Sequence, residues 1–360
     1  MKTVTVGVVA DPGLSTKVAG SLADSLATRF ADAVCREIGW NVTMCSRALP
    51  VNGDGNIEVR RHADELRCSL ACDVVVCLTE STTRLGKTLI VSEVDVRDKT
   101  ALISLPALGP VRLRRHVARS IVHAVGAMTI ADAVRSPAQL FGPTRQEITD
   151  GADGRHAFVE LTRVHGRLRL LLGMVRVNRP WRLLPSLSGA IAASVAAAAF
   201  GVFYSSIWMM ADAMSALRLT AVSIVAVVAM MLWLMLYNGL WERPRDLDQR
   251  KNAVLYNTAT VLTLIVGVTS MYVALFVVVV SGAMIIIPPA HLESTLGHDT
   301  SWRDYAQLAW LASSLGTFAG ALGSSFESDH AVRNATFGKR EQERHARAAL
   351  SDPSDRPTAP

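Results

Sequence analysis

Charge is missing from four long stretches of the sequence: Ser186 to Met210, Leu219 to Trp241, Asn252 to Ala290 and Tyr305 to Phe326. A bilayer core of ~30 Å takes about 20 apolar helical residues to cross. Lipid offers the backbone no hydrogen-bond partner, so a run that crosses is helical. Four such runs in one half of a chain exclude an ordinary soluble core and predict membrane helices at about 186–208, 219–240, 254–287 and 305–326. No ionisable side chain sits at the centre of any run, which argues against proton or ion coupling.

Other absences narrow the reading further. The five cysteines, Cys35, Cys45, Cys68, Cys72 and Cys77, are odd in number and confined to the amino-terminal part. That favours reduced thiols over a disulfide framework. Their spacing lacks the paired short-range ligands of a structural zinc site, so no metal or other cofactor is expected. No basic stripe interleaved with aromatics appears, which excludes nucleic acid as an expected partner. The apolar run Val4 to Ala10 is cut by Asp11-Pro12, too short for a signal core, and reads as a strand.

Arginine distribution orients the expected helices. Arg167, Arg169, Arg176, Arg179 and Arg182 precede the first run; Arg243, Arg245, Arg250 and Lys251 follow the second; Arg333, Lys339, Arg340 and Arg344 follow the fourth. The other loops are poor in cations. The positive-inside rule then places both termini in the cytoplasm and requires an even number of crossings. Residues 252–290 are long enough for a hairpin turning near Gly267, but a hairpin would put the basic tail outside. One long third helix and a multi-pass protein of the cytoplasmic membrane are therefore expected.

The amino-terminal part alternates strands and helices. Strands are expected at Val4–Val9, Trp40–Cys45, Asp73–Leu78, Leu89–Val96 and Thr100–Leu105, the last two forming a hairpin across Arg97-Asp98-Lys99. Helices are expected after a Ser15 or Thr16 cap, with Leu22, Leu26, Phe30 and Val34 on one face, then over Arg60–Leu70 and Val111–Val134. Val51–Ile57 and Ser136–Gly154 read as loops, and Phe158–Val177 as an amphipathic interfacial helix with Leu161, Val164, Leu168 and Leu171 on its apolar face. The fold class is a three-layer α/β cytosolic domain with a mixed sheet, followed by an all-α transmembrane domain of four helices. The organisation expected is 1–135 for the α/β domain, 136–184 for linker and interfacial helix, 185–326 for the membrane domain and 327–360 for a charged, unstructured tail.

Ligands of such sheets sit beyond the carboxyl ends of the strands. The candidate rim is Asp11, Gly13, Ser15 and Thr16, then Thr79, Glu80, Ser81 and Thr82, then Ser104. The Asp11–Thr16 loop has one glycine and no lysine in Walker position, so it is not a P-loop. His123 stands where a zincin helix begins its motif, but Ala124 and Ala127 replace the glutamate and second histidine. His291, Glu293, His298 and Asp299 group in an outer loop and read as a solvated acidic surface. Arg179, Trp181 and Arg182 form an elbow at headgroup depth. Small residues recur at Gly189, Ala193, Ala197 and Gly201, and at Ala312, Gly316 and Gly320, which predicts close helix packing, against each other or across a homodimer.

Leu171-Leu172-Gly173-Met174-Val175-Arg176, Asn178-Arg179-Pro180-Trp181-Arg182, Leu240-Trp241-Glu242-Arg243, Tyr256-Asn257-Thr258-Ala259-Thr260 and Gly320-Ala321-Leu322-Gly323 resemble segments of an uncharacterised family of actinobacterial integral membrane proteins. The resemblance is nearly full length and implies the same layout, a cytosolic domain and a membrane domain, with no activity attached. Val125-Gly126-Ala127-Met128-Thr129-Ile130-Ala131 is similar to the V-G-P-M-T-[IV]-A segment of the methylenetetrahydrofolate dehydrogenase/cyclohydrolase family. Here Ala127 replaces the proline and His123-Ala124 the upstream glycine pair, and the Tyr-x-x-x-Lys and Gly-Arg-Ser elements have no counterpart. No functional residue transfers from it.

The expected function is that of a membrane-anchored protein whose α/β domain binds a small ligand or a protein partner, with no complete catalytic set. A transport or channel component, and a membrane-attached enzyme working at Asp11, Glu80 and Ser104, are the alternatives.

Overall fold

The structure, a computed structural model, describes residues 3–50, 57, 59, 62–85, 88–130, 144–151, 154–161, 163–180, 187–242 and 247–323. The chain divides into two compact units, the second beginning at Asn178.

The first unit is built on a mixed sheet. Its strands are β1 (Thr3–Ala10), β2 (Gly39–Ser46), β3 (Val74–Thr79), β4 (Thr83–Leu85), β5 (Thr88–Asp95), β6 (Thr100–Ser104), β7 (Thr144–Gly151) and β8 (Gly154–Leu161). Their order is β2-β1-β3-β6-β5-β8-β7, with β4 beside the start of β5. β2, β1, β3 and β6 run parallel, and β5 turns back against β6 as the expected hairpin. Buried parallel strands read as continuous apolar runs, and every residue of β3 is buried. Val9, Val75, Cys77 and Leu102 on one face pack with Leu66 of α3 (Ala63–Leu70). α2 (Ala23–Ala33) and α4 (Leu113–Thr129) touch each other and the strands, completing an α/β unit. Asp95 shapes the hairpin turn: its Oδ1 accepts from the amides of Arg97 and Asp98, each at 3.0 Å.

Two expectations for this unit need correction. The single first helix is two, α1 (Leu14–Gly20) and α2, although Leu22, Leu26 and Phe30 are buried as anticipated. The loop and helix start expected over 136–161 include a β-hairpin, β7–β8, whose β8 strand pairs with β5 through a bulge at Ile90/Ser92. Residues 136–143 of that loop lie outside the described residues. The helix that follows, α5 (Arg163–Asn178), buries Gly166, Leu170, Gly173 and Met174 and leaves Leu168 exposed. Gly173 lies against the backbone of Pro106, and Arg169 Nη2 donates to the Leu108 carbonyl at 2.8 Å. Glycine makes this contact by having no side chain.

The second unit is helical: α6 (Ser188–Phe203), α7 (Ser205–Asp212), α8 (Ala216–Tyr237), α9 (Leu247–Ile286), α10 (Pro289–Leu296) and α11 (Trp302–Gly323). Among the described residues, Ala216–Tyr237 and Ala253–Ile286 are long and apolar enough to cross a membrane. α6 and α7 would add a third span if taken together, but they meet at 84°. That bend divides the single helix expected over 186–208 into two. Tyr204 is extended there, and the indole of Trp208 donates to the carbonyls of Gly201 and Val202, at 3.1 and 3.2 Å, which the break leaves without helical partners. Length and apolarity thus support two spans, or three, against the four expected.

α9 is one continuous helix of 40 residues, so no hairpin turns at Gly267. At 1.5 Å per residue it extends about 60 Å, well beyond a ~30 Å bilayer core. α11 packs on α6, α8 and α9. The small-residue rows meet inside the chain: a Cβ on Gly316 would stand 2.5 Å from the Ser194 carbonyl oxygen, and one on Gly201 would collide with Ala312. The α6 side of this contact is Ala190, Ser194, Ala198 and Gly201, one residue on from the expected Gly189, Ala193 and Ala197, which are half-buried beside it. Ser223, Tyr272 and Ser314 tie α8, α9 and α11 together, with hydroxyl separations of 2.9–3.0 Å, and the Trp310 indole donates to Ser223 at 2.6 Å.

Candidate functional site

Parallel strand order decides where a site forms. β1 leads through α1 and α2 to β2 on one side, and the chain then crosses to β3 on the other side of β1. The connections diverge between the carboxyl ends of β1 and β3, the topological switch point at which open α/β sheets hold ligands. The register places Ala10 beside Ser46 of β2 and Leu78 of β3, and Thr79 beside Ser104 of β6. The expected rim residues therefore converge, although they come from three parts of the sequence.

Their bonds form a connected edge. Asp11 is fully buried; its Oδ1 accepts from the Leu49 amide at 3.1 Å, and its own amide donates to the Leu78 carbonyl at 3.0 Å. Thr16 Oγ1 donates to the Asp11 carbonyl at 2.8 Å and stands 2.7 Å from Ser46 Oγ. The carboxylate of Glu80, at the end of β3, crosses the switch point and accepts from the Ser15 amide at 2.9 Å. Gly13 permits the crossing: its φ of +129° suits only glycine, and a Cβ there would lie 2.6 Å from Glu80 Oε1. Thr79 Oγ1 accepts from the Ser81 amide at 3.0 Å, and Ser104 Oγ donates to the Ser81 carbonyl at 2.8 Å. Ser15 Oγ is buried without a hydrogen-bond partner. Neither Ser15 nor Thr16 caps α1 by its side chain; Glu80 does so from 65 residues away.

The rim has two layers. Asp11, Ser15, Thr79 and Ser104 are buried, while Gly13 is exposed and Thr16, Glu80, Ser81 and Thr82 are partly exposed. It carries two carboxylates and several hydroxyls. The Ser15 amide already holds a carboxylate, so the rim offers no welcome to a phosphate. Ser104 spends its proton on a backbone carbonyl, not on Asp11 or Glu80, so those three do not form a nucleophile–base pair. Sequence reasoning missed Ser46 and the Leu49 amide as neighbours; only the pairing of β2 with β1 reveals them.

The other candidates fall elsewhere. Arg179 has a left-handed φ of +53° and a buried Nη2 without a partner, while Trp181 and Arg182 lie outside the described residues, as do 327–360. His123 lies in α4, and burial holds its imidazole pKa below the ordinary value. The outer-loop group disperses: His291 meets the edge of Trp208, and Glu293 accepts from Thr300 at 3.3 Å. His298 Nε2 lies 3.3 Å from Asp212 Oδ1, and Asp304 completes a trio whose ligand-type atoms fall within 4.8 Å of one another. No family model, no curated protein and no solved structure matches the chain.

Proposed function

We propose that this is a multi-pass protein of the cytoplasmic membrane, with both termini inside, whose α/β unit binds a small polar ligand or a protein partner at the β1–β3 switch point. The observation that supports this is the Glu80 bridge. Two carboxylates and six hydroxyls converge where such sheets take ligands, and Glu80, only partly buried, spans the opening. An occupant that donates hydrogen bonds, neutral or cationic, suits this rim; an anionic one would have to displace Glu80. The role is binding rather than catalysis, since Ser104 is not paired with a base.

The test is a thermal-shift screen of the full chain in nanodiscs against neutral and cationic metabolites, with Glu80→Gln alongside. A shift in the parent chain that the variant loses supports the reading; no shift with any compound or lysate fraction defeats its ligand half. A reporter fused after Pro360 that is active only outside the cytoplasm would defeat the topology.

A second reading, a transport component, draws on one observation. Ser194, Ser313 and Thr317 present buried hydroxyls without hydrogen-bond partners inside the helical unit, as a polar path would require. Solute flux in proteoliposomes distinguishes it.

A further inference from the structure

The first unit carries a second surface, distinct from the rim. α4 and α5 contain no aspartate or glutamate at all. Arg112, Arg114, Arg115 and Arg119 are exposed at the start of α4, and Arg167 and Arg176 are exposed on α5. No carboxylate pairs with any of these six among the described residues. The segment just before α4 links the two helices: Arg169 of α5 donates to the Leu108 carbonyl, His116 Nδ1 of α4 lies 3.1 Å from the same oxygen, and Arg176 Nη1 of α5 donates to the Pro110 carbonyl. Arg169, Arg119 and Arg115 stand close enough to His116 to hold its imidazole pKa down, behind burial as the larger cause.

This arrangement works against the fold. The amino end of a helix is the positive end of its dipole, and cations there are unfavourable. α4 nevertheless begins with Arg112, at a left-handed φ of +52°, and Arg114 and Arg115, with no acidic residue in its first turn. Such a start is explained if an anion lies against it. Apolar side chains are exposed on the same segments: Val111 is 67 % exposed, Leu168 53 % and Leu172 44 %. Neither helix has a phenylalanine, tyrosine or tryptophan on which a base could stack. Arginines interleaved with protruding aliphatic side chains match a headgroup layer above an acyl boundary.

We propose that the α4–α5 face docks on an anionic phospholipid surface, with the arginines on phosphates and Val111, Leu168 and Leu172 at the acyl boundary. The inference goes beyond the rim and does not depend on any ligand there. It is testable in trans, so its failure is separable from failure of the membrane reading.

The full chain in phosphatidylcholine nanodiscs is mixed with separate vesicles of phosphatidylcholine alone or with phosphatidylglycerol, and flotation is measured at physiological and high salt. The chain floats with the phosphatidylglycerol vesicles only, and high salt releases it. At about 1 kcal/mol per arginine near such a surface, each neutralisation weakens retention about fivefold, and Arg112→Gln/Arg115→Gln/Arg119→Gln together on the order of 100-fold. Arg112→Lys/Arg115→Lys/Arg119→Lys retains binding, which separates charge from any folding defect. Equal flotation with phosphatidylcholine alone, or undiminished flotation of the glutamine variant, overturns the proposal. So does displacement by an oligonucleotide or soluble polyglutamate as effective as displacement by anionic vesicles.

Discussion

Substituting Gly316 by alanine tests the packing of α6 against α11 directly. A Cβ at Gly316 stands 2.5 Å from the Ser194 carbonyl oxygen and 2.9 Å from the Ala198 Cβ. Neither neighbour is the free end of a flexible side chain. Restoring ordinary contact at 3.4 Å requires the helices to part by 3.4 − 2.5, about 0.9 Å. A gap of that size forfeits a quarter to a half of the dispersion energy of the atoms that lose contact. Overpacking of this kind costs about 1–3 kcal/mol. Alanine returns up to about 1 kcal/mol through its better helix propensity. The control is Gly282 in α9, where a Cβ would meet nothing within 4 Å. Gly282→Ala keeps the propensity gain and carries no clash. The two variants should therefore differ by about 1–3 kcal/mol, Gly316→Ala being the weaker. Denaturant titration of the full chain in mixed micelles, followed by circular dichroism, reads the difference. Equal midpoints would refute the intrachain contact. An unchanged midpoint together with loss of a dimer on size-exclusion chromatography would move the small-residue row to an interface between copies.

Three further outcomes follow from the geometry. Asp11→Ala removes a fully buried acceptor from the Leu49 amide and should lower stability by about 1–3 kcal/mol, read by the same titration; a neutral result would refute its structural role at the rim. Cys77 is buried with its thiol pushed up to about 12, so iodoacetamide at mildly alkaline pH should spare it in the folded chain and modify exposed Cys68; rapid labelling at Cys77 would contradict the sheet core. The His298 pKa is raised, first by its bond to the Asp299 carbonyl and then by Asp212. Its contribution is fully present below the ordinary histidine range and is lost as pH rises through the raised value. Histidine NMR should show titration above that range, and Asp212→Asn should bring it down; an unmoved pKa would separate the two residues.

Much of the α/β unit was legible because burial on both faces leaves a plain mark. Val4–Val9 and Asp73–Leu78 are apolar, β-branched runs, and they form β1 and β3 within a residue or so. Strand ends then gave the rim residues. What could not be read was who touches whom across it. Glu80 reads only as one of the polar residues that follow a strand, yet it caps a helix 65 residues earlier, and only the adjacency of β1 and β3 creates that bond. The β7–β8 hairpin was missed for a different reason: Thr144-Arg145-Gln146-Glu147 carries no apolar alternation, and the loop-forming Pro137, Gly142 and Pro143 stand just before it.

The helical unit shows where hydropathy stops being a guide. α8 and α9 are apolar enough to span, yet α11 is the helix that packs on α6, α7, α8 and α9. It buries Ser313, Ser314 and Thr317 along with Ala309 and Ala312. A helix surrounded by helices has no need to match lipid, so it carries small and hydroxylic residues that allow close approach and hydrogen bonds, and its mean hydropathy falls. The same logic explains why the α6 row was off by one. In Gly189-Ala190-Ile191-Ala192-Ala193-Ser194 nearly every position is small, so four-residue spacing fits several rows, and the choice is made by α11, through Gly316 and Gly320 closing on Ala190, Ser194 and Ala198. Apolarity sufficient for a span is therefore found in α8 and α9, while the specificity of the fold resides in the helix with the most buried small and hydroxylic residues.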